Sequence, residues 1–335
     1  MADKRTGGPG VVALRRAAAV VLVLILCVSA VAPAQKTEAP ERAEKARLAV
    51  KSLLLDAARA DDLLLAVGER GHILTSADSG ETWQQAEVPT RATLTGVFFV
   101  SRKLGWAVGH DSVILRTSDG GGTWNRVHWD PEAEGPFLDV WFADAKKGIA
   151  IGAYGRCLVT RDGGTTWVEH AVSRDDFHLN QIAAAAGGRL YIAAEGGNIY
   201  RSDDAGESWT ALESPYAGSF FGVLPLEGDS VLVFGLRGHM YRSDDAGATW
   251  AAIETGTVAM LNSGIRLADG RIVIAGLGGV VLVSEDGGRT VALRQQSSRA
   301  GIQAVVDAGN GRLLLAGEFG VRRVPMSEIS GREGK

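Results

Sequence analysis

Residues 76–83 read Ser76-Ala77-Asp78-Ser79-Gly80-Glu81-Thr82-Trp83, an octet with the pattern Ser/Thr-x-Asp-x-Gly-x-Thr/Ser-Trp. The pattern returns at residues 117–124, 160–167, 202–209, 243–250 and 284–291, and only the last copy ends in Val291 rather than Trp. The interval between copies is 41 to 43 residues. A repeat of about 40 residues with one turn motif per copy is typical of a β-propeller, in which each four-stranded blade buries both faces against its neighbours.

Turn chemistry accounts for the octet without a ligand. The Asp side chain accepts backbone N–H groups of a tight turn, and the Gly supplies a positive φ. The Trp then begins a strand and fills a seam between blades, which stabilises each copy by at most about 4–6 kcal/mol. Since six equivalent copies cannot all be active sites, we interpret these residues as structural: Asp78, Asp119, Asp162, Asp204, Asp245 and Asp286, with Trp83, Trp124, Trp167, Trp209 and Trp250.

Each octet belongs to a longer unit of four predicted strands. The second and third strands are joined by a Gly-x-x-Gly hairpin, and the last unit ends after its third strand. We therefore predict an all-β fold, a seven-bladed β-propeller of four-stranded antiparallel blades over residues 50–325. Residues 42–49 are expected to supply the missing strand and to close the ring, because an unpaired sheet edge promotes aggregation. Residues 326–335 are expected to form a polar tail.

The first 34 residues have the features of a targeting segment. Basic residues precede an apolar run at 17–28, and Ala32-Pro33-Ala34 matches a signal-peptidase site. We predict a signal peptide over 1–34, a charged linker over 35–49 and an exported protein, in the periplasm. The alternatives are an uncleaved anchor or a lipid on Cys27, either of which makes the protein membrane-associated.

Charge and cysteine content exclude some classes of partner and of fold. The formal net charge is −4, and it becomes −7 when residues 1–34 are removed. Such a chain has no positive field for nucleic acid, so we expect no nucleic-acid partner. Cys157 is then the one cysteine left, which excludes an internal disulfide and predicts a small core residue. Stability must come from ring closure and packing, and we expect a monomer.

The full repeat, Gly-x-x-Gly-x-Ile-x-x-Ser/Thr-x-Asp-x-Gly-x-Thr-Trp, resembles that of the photosystem II stability/assembly factor family and its relatives in non-photosynthetic bacteria. Residues 68–83 and 152–167 carry the resemblance best, and it covers most of residues 50–325. The Asp turn alone is shared with Asp-box (bacterial neuraminidase repeat) proteins, which include sialidases. The resemblance implies an exported, seven-bladed, non-catalytic accessory protein for a membrane complex. Bacterial relatives are often linked with exporters of the resistance-nodulation-division type.

Functional residues are expected where the repeat stops repeating. In a propeller, the hairpins between second and third strands open on the same face as the loops between blades, and the Asp turns lie on the other face. Arginine and aromatic side chains on one face favour protein binding. The candidate partner-binding residues at these hairpins are Arg70, His72, His110, Tyr154, Arg156, Arg237, His239 and Phe319.

Metal and catalytic sites have weaker support in the sequence. His72 and His239 hold equivalent positions in two blades, but no short His-x-His or Cys-x-x-Cys spacing exists, so we expect no metal and no cofactor. A sialidase needs three carboxylate-binding arginines and a Tyr activated by a Glu. The Arg-Val-Pro at Arg323 lies at the wrong end of the chain for such an enzyme.

The predicted function is therefore that of an exported, non-catalytic accessory or assembly factor. It binds a membrane-protein complex or exporter through the hairpin face. The alternative is a glycan-binding or sialidase/glycosidase-like Asp-box propeller.

Overall fold

The computed structural model describes residues 41–330, which form a seven-bladed β-propeller. Six blades are four-stranded antiparallel sheets, and the seventh sheet has three strands among the described residues. Within each sheet the strands pair in chain order, and the first strands of successive blades contact one another around the ring. The first strands therefore surround the central channel, and the predicted fold class is confirmed.

The strands of the first four blades have the following bounds. Blade 1 contains β1 (Leu54–Ala60), β2 (Leu63–Gly68), β3 (Ile73–Ser76) and β4 (Gln84–Gln85). Blade 2 contains β5 (Leu94–Phe99), β6 (Gly105–Gly109), β7 (Ile114–Thr117) and β8 (Asn125–His128). Blade 3 contains β9 (Phe137–Phe142), β10 (Gly148–Gly152), β11 (Cys157–Thr160) and β12 (Val168–Glu169). Blade 4 contains β13 (Leu179–Ala184), β14 (Leu190–Ala194), β15 (Ile199–Ser202) and β16 (Thr210–Ala211).

The last three blades continue the same order. Blade 5 contains β17 (Phe220–Pro225), β18 (Val231–Gly235), β19 (Met240–Ser243) and β20 (Ala251–Ala252). Blade 6 contains β21 (Leu261–Arg266), β22 (Ile272–Gly276), β23 (Val280–Ser284) and β24 (Ala292–Gln295). Blade 7 contains β25 (Ile302–Gly309), β26 (Arg312–Gly317) and β27 (Gly320–Pro325), and a short helix α1 (Met326–Ser330) follows.

The second strand of each blade lies in the middle of the packed sheets. In blades 1 to 6 every residue of this strand is buried, as in β10 with the sequence Gly-Ile-Ala-Ile-Gly. A strand covered on both faces needs no polar alternation, which explains its continuous apolar sequence. The outermost strands are short and exposed, as in β12 and β16. Burial thus comes from blade-on-blade packing.

Seven hydrophobic clusters fill the seven seams between blades. Each Trp of the octets packs into the seam between its own blade and the preceding one, as Trp124 does between blades 1 and 2. Trp124 is 5% exposed, whereas the other four are only half-buried. Val291 takes the same place in the seam between blades 5 and 6.

Residues 42–49 do not form the closing strand that we expected. They contain no β-strand, and their backbone bonds to blade 1 instead. The Ala43 N–H donates to the Val88 carbonyl at 3.0 Å, and the side-chain amide of Gln85 bonds both Ala46 N–H and the Glu44 carbonyl. Opposite charges hold the segment there, since its basic residues face Glu87 and Glu44 faces Arg91.

The ring closes by packing of blade 7 against blade 1. One cluster joins Leu54 and Leu64 of blade 1 with Leu314 and Ala316 of blade 7. The Val50 carbonyl lies against Gly320, where an added Cβ would come within 1.9 Å of it. The same contact of a hairpin glycine with a carbonyl recurs at other seams, as at Gly71, so blade 7 packs against blade 1 as the other blades pack on one another.

The expected polar tail begins with structure. Residues 326–330 form α1, in which Met326 and Ile329 are 3% and 0% exposed and pack with blades 6 and 7. Residues 331–335 and the proposed signal peptide at 1–34 lie outside the described residues. Within 41–330, no helix has the length and apolar character needed to cross a membrane.

Candidate functional site: the hairpin face and the central channel

The hairpins between second and third strands share one unusual backbone position. At the apex of these hairpins the chain adopts a positive φ, with Gly196 and Gly278 in blades 4 and 6. Blades 1, 3 and 5 place Arg70, Tyr154 and Arg237 there, with φ of 57°, 56° and 56°. A side chain in this conformation costs roughly 1–2 kcal/mol relative to right-handed backbone. Blade 2 places Asp111 there with φ of 56°, so four apices carry a side chain where glycine is less strained, and such strain is a reason to look for function.

The apex side chains are exposed on the hairpin face, which we define as the face carrying these hairpins and the loops between blades. Arg70, Tyr154 and Arg237 all point to solvent, and His110 in the blade 2 hairpin is exposed as well. Within residues 41–330, neither Arg70 nor Arg237 has a carboxylate within ion-pair distance. Both guanidinium groups are available to a partner.

Arginines on the opposite face, where the Asp turns lie, are held by neighbouring blades. Arg102 contacts Asp62 at 2.6 Å, and Arg161 contacts Glu207 at 2.5 Å. Many further guanidinium groups on that face pair in the same way, among them Arg189 with Asp203 and Asp229, Arg266 with Glu227 and Arg323 with Glu81. These pairs are mostly exposed and stabilise little individually, but they neutralise much of that face. The hairpin face differs in that its apices present Arg70 and Arg237, which have no ion-pair partner among residues 41–330, beside the exposed Asp111 of blade 2.

Blade 3 contributes an aromatic patch to the hairpin face. Tyr154 is 54% exposed, its ring stands edge-on to His178 at 4.9 Å, and its N–H donates to His178 Nδ1. Glu195 accepts the backbone N–H of His178, which fixes the loop. In the preceding loop Trp129 is 47% exposed, with Arg126 4.2 Å from its ring centre. Exposed Tyr and Trp with Arg nearby have the composition of a protein-binding hot spot.

Four of the predicted site residues pack inward rather than outward. His72 is 3% exposed, and its Nδ1 is 2.9 Å from Ser52 Oγ, so the expectation of an exposed His72 is wrong. Burial lowers the pKa of His72, which keeps the ring neutral. The half-buried members stack on loop or hairpin side chains: Arg156 on Phe137 at 4.8 Å, His239 on Tyr216 at 4.1 Å and Phe319 under Arg322 at 4.5 Å.

The Asp turns use their carboxylates internally. In blade 3, Asp162 Oδ1 accepts the Thr166 N–H at 2.9 Å, Oδ2 accepts the Thr166 hydroxyl at 2.7 Å, and Thr160 Oγ1 donates to Oδ1. The Thr166 N–H and then its hydroxyl lower the pKa of Asp162 to about 2. The same three bonds form at Asp78, Asp119, Asp204, Asp245 and Asp286. A carboxylate engaged in this way holds a turn closed.

The central channel forms a cavity of about 760 Å³. Its lining mixes apolar side chains such as Leu138 and Phe221 with amides such as Asn180 and Asn262. Among the described lining residues Arg59 is the one arginine, and none is Tyr or Glu. The arginine clamp and Tyr–Glu pair of a sialidase are therefore not assembled there.

Two channel carboxyls, Asp56 and Asp139, were missed by the sequence analysis. Asp56 Oδ2 accepts the Val97 N–H of the next blade at 2.8 Å, and Oδ1 accepts the Ala57 N–H at 2.8 Å. In blades 4 and 6 a neutral side chain bonds the next blade, as Gln181 does to the Val223 N–H at 2.7 Å. The innermost strands are thus linked by side chains across their seams.

Asp56 and Asp139 lie in blades whose preceding blade has no side chain at this position that can accept a backbone N–H across the seam. Blade 2 has Gly96 at the linking position, so Asp139 bonds its own Val140 N–H with Oδ1 and the Ile182 N–H of blade 4 with Oδ2. Burial raises the pKa of Asp139 to about 7. Burial, followed by the charge of Asp139, raises the pKa of Asp56 to about 8. Both carboxyls serve backbone groups, and this role explains their presence without catalysis.

A family model described as Photosynthesis system II assembly factor YCF48 matches residues 35–136 and 130–316. The chain belongs to this family. Photosystem II assembly protein Ycf48 of Thermosynechococcus vestitus (strain NIES-2133 / IAM M-273 / BP-1) is 40% identical over 42 residues. That match spans 12% of this chain and 12% of the relative, which is about one repeat unit.

Solved structures share the propeller fold of this family member. A structure described as YCF48 bound to D1 peptide has a TM-score of 0.68 at 18% identity and covers 88% of this chain and 97% of its own. Streptogramin B lyase has a TM-score of 0.71 at 13% identity, with 84% and 96% covered. These identities show a common fold alone, and the fold serves both a peptide-binding protein and a lyase.

The described residues of this YCF48-family chain form neither a metal site nor a reactive thiol. Residues 41–330 contain no group of three or more His, Cys, Asp or Glu side chains placed to hold a metal ion. Cys157 is 3% exposed, and burial raises the pKa of its thiol to about 12, so it is an inert core residue. The hairpin face is therefore the best-supported candidate site.

Proposed function

We propose that this chain is a non-catalytic assembly factor that binds an exposed segment of a membrane-protein complex through its hairpin face. Arg70, Tyr154 and Arg237 make the principal contacts. The partner is a photosystem-like membrane complex or, in a non-photosynthetic bacterium, an exporter of the resistance-nodulation-division type. The exposed apices with positive φ carry this proposal, because the fold itself does not require side chains there.

Three observations support it. The chain is a member of the YCF48 family, and a solved YCF48 structure has a bound D1 peptide. The unpaired apex arginines can meet carboxylates of a partner, since charge complementarity steers association. The carboxylates of the Asp turns and of the channel are occupied by backbone and hydroxyl groups, which favours binding over hydrolysis.

The proposal includes export. Its support is the apolar run at 17–28 and the small residues before Gln35. Cleavage after Ala34 gives a periplasmic protein that begins at Gln35. Mass spectrometry of the N-terminus of the exported chain tests this, and an intact Met1 or a lipid on Cys27 contradicts it.

The binding proposal is tested by crosslinking pulldown from membranes with Arg70→Gly/Tyr154→Gly/Arg237→Gly. The triple variant should fold, because blades 4 and 6 already build the same hairpin with Gly196 and Gly278. Removing the strained side chains should leave stability nearly unchanged. A membrane protein captured by the wild type should be lost.

The matched control changes the opposite face. Lys103→Glu/Lys146→Glu reverses two exposed charges there and should retain the partner. Equal capture by the triple variant and the wild type contradicts binding at the apices. Turnover of a sialoside or glucan by the purified chain contradicts a non-catalytic role.

A further inference from the structure

The outer edge of blade 7 differs from that of every other blade. Six sheets end in a fourth strand, whereas within residues 41–330 the seventh ends at β27. In blade 1 the Ala86 N–H, just beyond the fourth strand, donates to the Ile73 carbonyl at 2.9 Å. Val321 occupies the equivalent position, because it pairs with Ala316 as Ile73 pairs with Val67. The Val321 carbonyl therefore points outward, and by strand alternation so does the Arg323 N–H.

Nothing in the described chain pairs with this edge. Residues 42–49 bond to blade 1, as shown above, and α1 packs on the side of blade 7 that faces blade 6. Within residues 41–330 no backbone group bonds the outward groups of Val321 or Arg323. An open edge of this kind is a template for an added strand.

The charge of the edge indicates what kind of strand fits. In blade 3 one of the two residue pairs between the third and fourth strands is Leu158 with Glu169, and Leu158 corresponds to Arg322 in blade 7. Arg322 lies over the Phe319 ring and 3.4 Å from Ser298 Oγ, with no carboxylate within ion-pair distance in the described chain. An acidic residue opposite it would pair across the strands.

We propose that the open edge of blade 7 binds an extended, acidic peptide segment of a partner protein as its fourth strand. Backbone hydrogen bonds to Val321 and Arg323 supply affinity, and an acidic side chain opposite Arg322 supplies selectivity. This site lies apart from the apices of the hairpin face and does not rest on the proposed function. It would allow the propeller to hold a second segment of a complex.

The chain itself provides a probe for this edge. A labelled synthetic peptide of residues 165–172, Thr-Thr-Trp-Val-Glu-His-Ala-Val, contains the fourth strand of blade 3 and places Glu169 opposite Arg322. Fluorescence anisotropy with the full-length chain should show saturable binding. Changing Glu169 of the peptide to Lys should weaken it up to about fivefold, and Arg322→Glu in the protein should restore binding of the Lys peptide.

Backbone pairing is tested with two methylated peptides. The His170 N–H faces the third strand in blade 3, where it donates to the Cys157 carbonyl. N-methylation at positions 168 and 170 should therefore weaken binding about tenfold or more, since two hydrogen bonds are lost. N-methylation at 169, on the other edge, should have little effect. Equal loss from both peptides, or no effect of the charge exchange, overturns the proposal.

Hydrogen exchange distinguishes a bound peptide from the chain's own residues as the occupant of the blade 7 edge. In the free full-length chain, the Arg323 amide should exchange quickly and become protected when the peptide is added. Protection of Arg323 without peptide, together with no peptide binding, shows that the chain fills its own edge and overturns the proposal. Fast exchange with no peptide binding overturns it as well. The triple glycine variant at Arg70, Tyr154 and Arg237 should bind the peptide as the wild type does, so failure here is distinct from failure of the proposed function.

Discussion

The channel carboxyls make folding stability depend on pH in a direction that is unusual for Asp. The folded-state pKa of Asp56 is raised from 3.8 to about 8. A raised folded pKa means that its stabilising contribution is fully present below about pH 3.8 and is lost as the pH rises through about 8. Most structural Asp residues behave in the opposite way. The prediction concerns Asp56→Asn and Asp139→Asn, measured as urea unfolding free energies.

The change in unfolding free energy depends on the difference between the pH and the pKa of Asp56. Between about pH 5 and about pH 9, ionisation of Asp56 should lower the unfolding free energy by about 2–4 kcal/mol. Each pKa unit corresponds to about 1.4 kcal/mol, and water in the central channel weakens the effect. Asparagine offers one acceptor where Asp56 offers two, so either the Ala57 or the Val97 N–H loses its partner. At about pH 5 the variant should be less stable by about 1–3 kcal/mol.

The two effects give a crossing pattern. Asp56→Asn should lose stability at low pH and approach or exceed the wild type at high pH, and the double variant should lose most of the fall in stability between about pH 5 and about pH 9. Asp62→Asn, at an exposed carboxyl with a lowered pKa, is the control and should not flatten the profile. Identical profiles for the wild type and the double variant would refute the assignment of these raised pKa values.

Three further outcomes test the packing and the turns. Trp124→Ala should destabilise by about 3–5 kcal/mol in urea unfolding, because the ring is buried in the seam between blades 1 and 2; a loss under about 1 kcal/mol contradicts this. Gly71→Ala should lower the melting temperature far more than Gly278→Ala, since an added Cβ at Gly71 lies 2.2 Å from a carbonyl oxygen whereas the space at Gly278 is open; equal shifts argue against that contact. Cys157 should not react with a thiol reagent until the chain is unfolded, and rapid native labelling would show an opening seam.

The repeat made most of the fold predictable from the sequence. The octet predicts the turn before each fourth strand of blades 1 to 6, and the Gly-x-x-Gly hairpin at 317–320 adds the seventh blade. The Trp positions could be assigned to seams because a large ring beside a turn must be covered by the neighbouring sheet. Trp124 and Trp167 both pack into the seam before their own blade.

Ring closure was less predictable, because it depends on contacts between distant parts of the chain. A three-stranded last unit suggests that the N-terminus supplies a strand, yet Gln85, Glu87 and Arg91 offer hydrogen bonds and opposite charges that bind residues 42–46 to blade 1. No local pattern in residues 42–49 distinguishes these two partners. The burial of Ile329 likewise depends on the seam between blades 6 and 7.

The candidate site was predicted in part. The position within each Gly-x-x-Gly hairpin identifies Arg70, Tyr154 and Arg237 as residues at the hairpin. The repeat does not predict the direction in which the neighbouring side chains point. His72 and His239 turn toward the loop between blades and pack there. Asp56 and Asp139 carry one available signal, a lone Asp within an apolar inner strand. Its meaning depends on the bulged register between the first two strands of the same blade.

Hydrogen exchange of the chain, with and without its captured membrane-protein partner, tests whether the partner binds the hairpin face. Binding there should slow exchange at the hairpins 69–71, 153–155 and 236–238 and leave exchange unchanged at the Asp turns such as 78–82. Protection confined to the Asp turns or to the channel strands, with the three hairpins unaffected, would contradict binding through the hairpin face.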